Sequence, residues 1–323
     1  MSAMTTHRVA ILDDYQNVAL SLADWSACSD RTDITVFNEP IGDQDAVIAA
    51  LADYDIVCLM RERTPFPAAV IEALPKLKLI VTSGPRNAAI DVAAAKGRGV
   101  VVCGTESAAH ATAELVFAHL LEFNRKVGYE NARLKAGAFW QSTVGGDMNG
   151  RTLGLLGLGR LGQRVAGIAN AFGMKVIAWS QNLTPEKCEG TGASYVEKDV
   201  LFRTSDVISV HLQLSDRTRG LVGTAEFASM KPTALLINTS RGPIIDEPAL
   251  IAALEIRQIA GAAIDVFDVE PLPLDHPLRR LDRAQITPHL GYVTEANYRL
   301  FYGQTVEDIC AFLDGSPTRV IEP

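Results

Sequence analysis

The chain has 323 residues, of which 48% are hydrophobic, and a formal net charge of −8. Its length and apolar content are sufficient for two domains, each with its own core. The net negative charge, without runs of Lys and Arg, argues against an electrostatic nucleic-acid interface. No apolar stretch reaches the roughly 18 to 20 residues that a membrane span needs, and the N-terminus lacks a secretory signal pattern. We therefore expect a cytoplasmic protein that binds neither nucleic acid nor membrane.

The five cysteines are widely spaced and lie mostly in apolar surroundings. An odd number of cysteines without a Cys-x-x-Cys pair is typical of reduced core thiols, and not of a disulfide framework or a zinc site. We expect no metal in this protein.

The first part of the chain alternates short Val- and Ile-rich runs with helical patterns. The runs lie at residues 8–12, 34–37, 56–60, 77–82 and 100–103, and the helical patterns at 43–51, 67–74 and 91–96. This alternation predicts a parallel sheet covered by helices. A long helical pattern at 107–126 follows, and an irregular stretch with several glycines, at 137–150, separates it from the next strand.

A second alternating series has strands predicted at residues 153–156, 176–179, 207–210, 234–238, 259–265 and 284–287. The last helical pattern, at 294–314, cannot form a domain alone, so we predict that it returns to the first unit. The predicted fold is α/β, with two doubly wound parallel-sheet domains. A discontinuous, flavodoxin-like substrate domain comprises residues 1–104 and 294–323, and a Rossmann cofactor domain comprises residues 105–293.

A dinucleotide-binding pattern opens the second series of strands. Gly157, Gly159 and Gly162 form a Gly-x-Gly-x-x-Gly motif directly after an apolar strand and directly before a helical run. The first glycine allows a tight turn, the second lets the backbone approach a pyrophosphate, and the third lets the helix pack close to the strand. The phosphates then meet free N–H groups at the helix start. Arg160 and Leu161 lie inside the motif and are predicted to bind the cofactor with it.

Further polar residues follow predicted strands, where ligands bind in open parallel sheets. Arg241 follows residues 234–238, and its guanidinium is suited to hold a carboxylate in a bidentate fork; the alternative is a surface Arg in a turn. Asp265 and Glu270 follow the next strand. His289 follows the last strand, where it is suited to transfer a proton to an alkoxide; the alternative is a structural His bound to backbone.

The chain resembles the D-isomer-specific 2-hydroxyacid dehydrogenases, the family of glyoxylate and hydroxypyruvate reductases and of phosphoglycerate dehydrogenase. The resemblance rests on the glycine motif, Arg241 in Asn-Thr-Ser-Arg-Gly, Glu270 in Asp-Val-Phe-Asp-Val-Glu-Pro and His289 in Thr-Pro-His. It covers nearly the whole chain. It implies hydride transfer between NAD(P)(H) and a 2-keto or D-2-hydroxy acid, with Arg241 clamping the substrate carboxylate and carbonyl. His289 would donate the proton, and Glu270 would hold His289 in place.

The same resemblance implies further cofactor contacts. It places Asp265 on the nicotinamide amide and Thr112 near the nicotinamide ring, and it adds His211 and Thr239 from other matching motifs. The alternative function is a corepressor-like protein that senses NAD(H) with little turnover. We also expect a homodimer that packs through the long helix and the stretch 137–150, which is too irregular to be stable alone.

One departure from the family pattern concerns the cofactor. NAD-preferring chains have an acid about 20 residues beyond the glycine motif, whereas this chain has Ser180 followed by Gln181. The missing negative charge favours NADP, although no Arg is nearby in the sequence and Lys187 is expected to lie too far away. The alternative is a ribose pocket that accepts both NADP and NAD.

A second departure concerns the loop that binds the substrate carboxylate in the family. This chain has Gly84, Pro85 and Arg86 there; Pro85 removes a backbone donor and Arg86 adds a cation. Arg61 also follows a strand of this domain and resembles a position near the distal end of the substrate. Two added Arg residues are suited to an acid with a second anionic group. The alternative is that Arg61 pairs with Glu62 or Glu106 and only shapes the site.

Overall fold

The computed structural model describes residues 6–323. The chain divides into two compact units, each built on its own parallel sheet, which confirms the predicted fold class. The first unit contains the described residues up to Ala108 together with Val293–Pro323, and the second is Ala109–Tyr292. The first unit thus extends to Ala108, where the sequence analysis ended it at residue 104.

The first unit contains a five-stranded sheet. Its strands are β1 (His7–Ile11), β2 (Thr32–Val36), β3 (Ile56–Leu59), β4 (Leu79–Thr82) and β5 (Val101–Gly104). All pairs are parallel, and the order β2-β1-β3-β4-β5 is that of flavodoxin-like folds. Every residue of β3 and β4 is buried, as expected of strands that are covered on both faces.

Four α-helices belong to the first unit: α1 (Gln44–Leu51), α2 (Ala68–Ala73), α3 (Val92–Gly97) and α11 (Glu295–Leu313). The carboxylate of Asp43 accepts a hydrogen bond from the first turn of α1, and Asp91 caps α3 in the same way. The chain after α11 returns to β5, where the N–H of Ile321 donates to the carbonyl oxygen of Val102.

The second unit contains a seven-stranded sheet. Its strands are β6 (Thr152–Leu156), β7 (Lys175–Trp179), β8 (Ser194–Tyr195), β9 (Val207–Val210), β10 (Leu235–Asn238), β11 (Gly261–Ile264) and β12 (Ala284–Ile286). The order is β12-β11-β10-β9-β6-β7-β8, with all pairs parallel. The chain reverses its direction of progress across the sheet at β6, and in such sheets the crevice at this switch point binds the ligand.

Seven α-helices belong to the second unit: α4 (Ala109–Arg125), α5 (Val127–Lys135), α6 (Arg160–Ala171), α7 (Pro185–Cys188), α8 (Lys198–Thr204), α9 (Thr224–Ser229) and α10 (Glu247–Glu255). The predicted helix at 107–126 is α4. Lys126, with a φ of 53°, separates it from α5, which the sequence analysis did not predict. Within residues 6–323, every helix falls short of the combination of length and hydropathy that a membrane span requires.

Candidate active site

The glycine motif forms the turn between β6 and α6. Gly157 has a φ of 103°, and a Cβ there would come 2.8 Å from the carbonyl oxygen of His211. A Cβ on Gly162 would overlap the carbonyl oxygen of Gly157, so the fold itself requires glycine at both positions. At Gly159, an ideal Cβ would meet no other described atom within 4 Å. The space beside Gly159 is therefore open to a ligand.

The start of α6 is suited to bind an anion. Gly159 is its N-cap and has no side chain with which to cap the first turn. Arg160 is exposed, and Leu161 packs against the core of the second unit. The uncapped N–H groups and the positive end of the helix dipole are the features with which such turns bind phosphates.

Two side chains that follow β9 and β10 have buried polar atoms without hydrogen-bond partners among the described residues. Both ring nitrogens of His211 and the hydroxyl of Thr239 make no hydrogen bond to any described residue. Burial lowers the pKa of His211 to about 4, so its ring is neutral at pH 7. Buried polar atoms normally have hydrogen-bond partners. The unpaired atoms of His211 and Thr239 therefore agree with the predicted dinucleotide, whose hydroxyl and amide groups would supply partners.

The three predicted catalytic residues follow three neighbouring strands, β10, β11 and β12. The last residues of these strands, Asn238, Ile264 and Ile286, are paired with one another in register. Since the strands are parallel, the segments that follow them all leave the sheet at its carboxyl edge. Residues that are dozens of positions apart in the sequence therefore share one edge.

His289 and Glu270 are in direct contact. Nδ1 of His289 lies 2.7 Å from Oε2 of Glu270, and Oε1 of Glu270 accepts a hydrogen bond of 2.9 Å from the N–H of Phe267. The His289 side chain is 18% exposed and its backbone has a φ of 55°. The ring of Tyr292 stands edge-on to the imidazole, with centroids 5.5 Å apart. The carboxylate is thus fixed by its own loop and in turn orients the imidazole.

Asp265 anchors the loop that carries His289. Its buried Oδ1 accepts hydrogen bonds from the hydroxyl of Thr287 (2.6 Å) and the N–H of Leu290 (2.7 Å), and Oδ2 accepts from the N–H of Gly291 (2.9 Å). Burial raises the pKa of Asp265, against the opposing effect of these hydrogen bonds. The hydroxyl of Thr112 donates to the carbonyl oxygen of Gly291 at 2.8 Å. Asp265 and Thr112, both predicted to contact nicotinamide, therefore also fix the His289 loop.

Arg241 lies in the turn after β10. Its Nη1 donates to the carbonyl oxygen of the preceding residue at 2.8 Å, and its own carbonyl oxygen accepts from Nδ2 of Asn238 at 2.9 Å. A Cβ on Gly242 would overlap the backbone of Phe267, whose N–H binds Glu270. The Arg241 turn is therefore packed against the loop that carries Glu270.

In the first unit, Arg61 is held by neighbouring groups. Its guanidinium lies 3.6 Å from Oε1 of Glu62 and donates to the carbonyl oxygen of Ser83 at 3.1 Å. Its backbone, with a φ of 55°, accepts a hydrogen bond of 2.6 Å from Nδ2 of Asn87. An ion pair with Glu62 is the contact expected if Arg61 only shapes the site, which was the alternative to a substrate-binding role.

The loop after β4 carries the other predicted substrate residues. The N–H of Gly84 donates to the hydroxyl of Thr105 at 2.8 Å, and Pro85 has no N–H. Pro85 and Arg86 are exposed. The loop therefore presents the side chain of Arg86, while the N–H of Gly84 is already bound to Thr105 and Pro85 has no N–H to donate to a carboxylate.

The loop after β7 has cationic neighbours that the sequence analysis missed. Nε2 of Gln181 donates to the carbonyl oxygen of Arg217 (2.7 Å), and Nη2 of Arg217 donates to Oδ1 of Asn182 (3.4 Å). Nζ of Lys187 donates to the carbonyl oxygen of Asn182 at 2.9 Å. Arg217, which is distant in the sequence, and Lys187 thus lie beside the loop that carries Ser180. The two loops come together because β7 and β9 both pair with β6.

The second unit is similar to a known family of domains. A family model for the D-isomer specific 2-hydroxyacid dehydrogenase, NAD binding domain, matches residues 117–291. Glyoxylate reductase from Thermococcus litoralis is 38% identical over 255 residues, which are 76% of this chain and 77% of the relative. The chain belongs to the D-isomer specific 2-hydroxyacid dehydrogenase family. The predicted resemblance is thereby confirmed, and the second unit is a Rossmann-type NAD-binding domain of an oxidoreductase family.

Two further relatives agree with this membership. D-3-phosphoglycerate dehydrogenase from Synechocystis is 36% identical over 275 residues, which are 84% of this dehydrogenase-family chain but 49% of the relative. The chain thus spans about half the length of that relative. The crystal structure of phosphoglycerate oxidoreductase from Vibrio cholerae superposes with a TM-score of 0.90 at 34% identity, covering 96% of this chain and 100% of the other. These relatives are enzymes by name and do not support the corepressor-like alternative.

Proposed function

We propose that this protein transfers hydride between NAD(P)(H) and a small 2-keto or D-2-hydroxy acid, with His289 as general acid and base. The observation that carries the proposal is the 2.7 Å contact between His289 Nδ1 and Glu270 Oε2, on the sheet edge that also bears Arg241. An oriented imidazole provides proton transfer, and a guanidinium provides carboxylate binding. Both belong to a domain whose glycine turn is suited to a dinucleotide.

The dinucleotide would be held by residues 157–162, with its phosphates at the start of α6. When bound, it supplies the hydride chemistry that no side chain provides. Ser180 and Gln181 would contact the adenine ribose, and His211, Thr239 and Thr112 would contact other parts of the dinucleotide. Asp265 Oδ2 accepts one described hydrogen bond, so a second lone pair would accept from the nicotinamide amide.

His289 would move the proton of the reaction at its Nε2. With Nδ1–H donated to Glu270, Nε2 is the nitrogen that gives a proton to the carbonyl oxygen in reduction and takes the hydroxyl proton in oxidation. The Glu270 carboxylate stabilises the imidazolium that forms when His289 carries both protons, and it keeps the ring in one orientation. Asp265 keeps the loop of His289 in place.

Arg241 would bind the carboxylate of the substrate in a bidentate fork and polarise the adjacent carbonyl group. In the first unit, Gly84, Pro85, Arg86 and Arg61 are proposed as substrate residues. The cations Arg61 and Arg86 would favour an acid with a second anionic group. The relatives are named for glyoxylate and 3-phosphoglycerate, one without and one with such a group, so both classes belong in the substrate panel.

The cofactor preference that we propose is for NADP over NAD. Ser180 stands where NAD-preferring chains have an acid, so no carboxylate at this position repels a 2′-phosphate.

The assembly that we propose is a homodimer formed through α5 and the stretch that follows it. In the described chain, α5 has no buried residue. Large apolar side chains are exposed along it and beyond it: Val127, Tyr129, Leu134, Phe139, Trp140 and Val144. An apolar surface of this kind is typical of a protein interface.

The test of the proposed activity is a substrate panel read by the absorbance of reduced nicotinamide. Glyoxylate, hydroxypyruvate, pyruvate and phosphohydroxypyruvate are each offered with NADH and with NADPH. We expect oxidation of the nucleotide with at least one acid, and a loss in kcat/KM of about 10³-fold in Arg241→Ala, because the clamp acts on the developing charge. Arg203→Ala, at an exposed helical Arg paired with Asp199, is the control. Tight nucleotide binding without turnover of any acid would contradict the proposal.

A further inference from the structure

Two cations meet at the loop that follows β7. Arg217 comes from the loop after β9, and Lys187 comes from α7, yet both donate hydrogen bonds to Asn182. Gln181 ties the two loops together through the Arg217 carbonyl oxygen. The cations are 30 positions apart in the sequence, and the strand order alone brings them to one place.

Arg217 and Lys187 lie beside the crevice at which a sheet of this kind binds its ligand. β7 and β9 lie on either side of β6, so the loops after them border the crevice at the end of β6. In dinucleotide-binding sheets, the loop after the second strand meets the adenine ribose, and an acid there binds the ribose 2′-hydroxyl. Here that loop has Ser180 in place of the acid, with a guanidinium and an ammonium group beside it.

The charge balance favours an anion. The described hydrogen bonds of the two cations go to amide oxygens of Asn182, and not to carboxylates. The acids nearest in sequence are Glu186, which accepts a hydrogen bond from the hydroxyl of Thr184, and Asp216. Arg217, Lys187 and Asn182 are exposed, so a ligand can reach them without displacing the core.

We infer that Arg217 and Lys187 form a binding site for the 2′-phosphate of NADP, with Ser180 as an additional hydroxyl donor. The inference rests on the proposed use of a nicotinamide dinucleotide and names the residues that select between its two forms. A phosphate monoester accepts several charge-assisted hydrogen bonds, which a guanidinium and an ammonium group provide together. The neutral Asn182 contacts are weak competitors for such a ligand.

The site is tested by nucleotide binding without any acid substrate. Calorimetry measures the affinities of adenosine 2′,5′-bisphosphate and of AMP, which differ in the 2′-phosphate, and fluorescence measures those of NADPH and NADH. We expect the parent chain to bind the 2′-phosphorylated member of each pair at least about tenfold tighter. Arg217→Gln should lower this ratio about tenfold, and Arg217→Gln with Lys187→Gln should bring it close to one, while AMP and NADH affinities stay within about twofold.

Two further variants distinguish a loss of the 2′-phosphate preference from a loss of folding. Arg217→Lys keeps a cation and should retain part of the preference. Arg203→Gln changes an exposed Arg in the last turn of α8, which leads into the opposite, amino edge of the sheet, and should leave both affinities unchanged. All variants should show the same thermal midpoint without nucleotide.

Three outcomes would overturn the inference: a parent chain that binds AMP as tightly as the bisphosphate, an Arg217→Gln variant with an unaltered ratio, or equal weakening of both members of a pair. Failure of the proposed reaction is distinguishable, because a chain that turns over no acid can still show the 2′-phosphate preference. A chain that binds neither NADH nor NADPH would overturn both the inference and the proposed function.

Discussion

At the scale of single residues, two His–carboxylate pairs of the second unit have similar nitrogen–oxygen distances, although they use different ring nitrogens. His289 Nδ1 lies 2.7 Å from Glu270, and His276 Nε2 lies 2.9 Å from Oε1 of Glu247. The first pair stands on the sheet edge beside the Arg241 turn, whereas the second joins the start of α10 to a short 3-10 helix. The His276–Glu247 pair shows that such a hydrogen bond alone does not indicate catalysis. The catalytic role of the His289–Glu270 pair is indicated by its position beside the Arg241 turn.

The similarity of the two pairs allows a prediction with a matched control, in which the same substitution is made in each pair. Glu270→Gln should lower kcat by about 10²- to 10⁴-fold, because a neutral amide stabilises the imidazolium less than a carboxylate does. NAD(P)H affinity should not change. Glu247→Gln removes the same charge from the other pair and should leave kcat within about threefold. Steady-state kinetics and nucleotide titration of both variants measure these effects, and equal losses in the two would show that the Glu270 pair is only structural.

Single residues also show which contacts could be predicted from the sequence and which could not. Glu270 and His289 were predicted because each follows an apolar run, and a strand end is visible in the sequence. The hydrogen bonds that Asp265 accepts from the loop of His289 depend on the neighbouring position of β11 and β12. The reach of Arg217 to Asn182 depends on the side of β6 on which β9 lies. Such contacts follow from strand order, which local patterns do not encode.

At the scale of elements, apolar runs were the reliable signal. β3, β4, β9 and β10 are buried at every residue, so their sequences stand out as short hydrophobic runs. β8 has two residues, and α5 has no buried residue within the described chain, so neither gives a periodic pattern.

The turn between β6 and α6 gives a prediction that separates folding from binding. Gly159→Ala places a Cβ where no described atom lies within 4 Å, so the thermal midpoint should stay nearly unchanged. The same Cβ occupies the approach of the pyrophosphate, so NAD(P)H affinity should fall at least about tenfold. Gly157→Ala should lower the thermal midpoint as well, because its φ of 103° strains an L-residue and its Cβ meets the backbone of His211.

Differential scanning calorimetry without nucleotide and a fluorescence titration with NADPH make this comparison. If Gly159→Ala lowers the thermal midpoint as much as Gly157→Ala does, glycine at position 159 is required for folding as well. If Gly159→Ala binds NADPH like the parent chain, the phosphates do not lie at this turn.

At the scale of the whole molecule, the second unit has an apolar surface that its own core does not cover. Phe139 is 98% exposed and Trp140 is 65% exposed, in the stretch that follows α5. The interface predicted from the sequence comprised the long helix at 107–126 and the irregular stretch 137–150. The structure adds α5, since its exposed Tyr129 and Leu134 extend the same apolar stretch of chain.

An interface through this surface predicts a concentration-dependent mass. Light scattering after gel filtration should give twice the chain mass for the parent. Phe139→Ser with Trp140→Ser should shift the chain to the monomer at micromolar concentration, because large aromatic side chains carry most of the binding energy in protein interfaces. Ile256→Ser removes another exposed apolar side chain, 72% exposed at the end of α10, and should leave the dimer intact. A parent chain that is monomeric at every concentration would assign the exposed aromatics to some other contact, and a dimer that survives the double substitution would place the interface elsewhere on the chain.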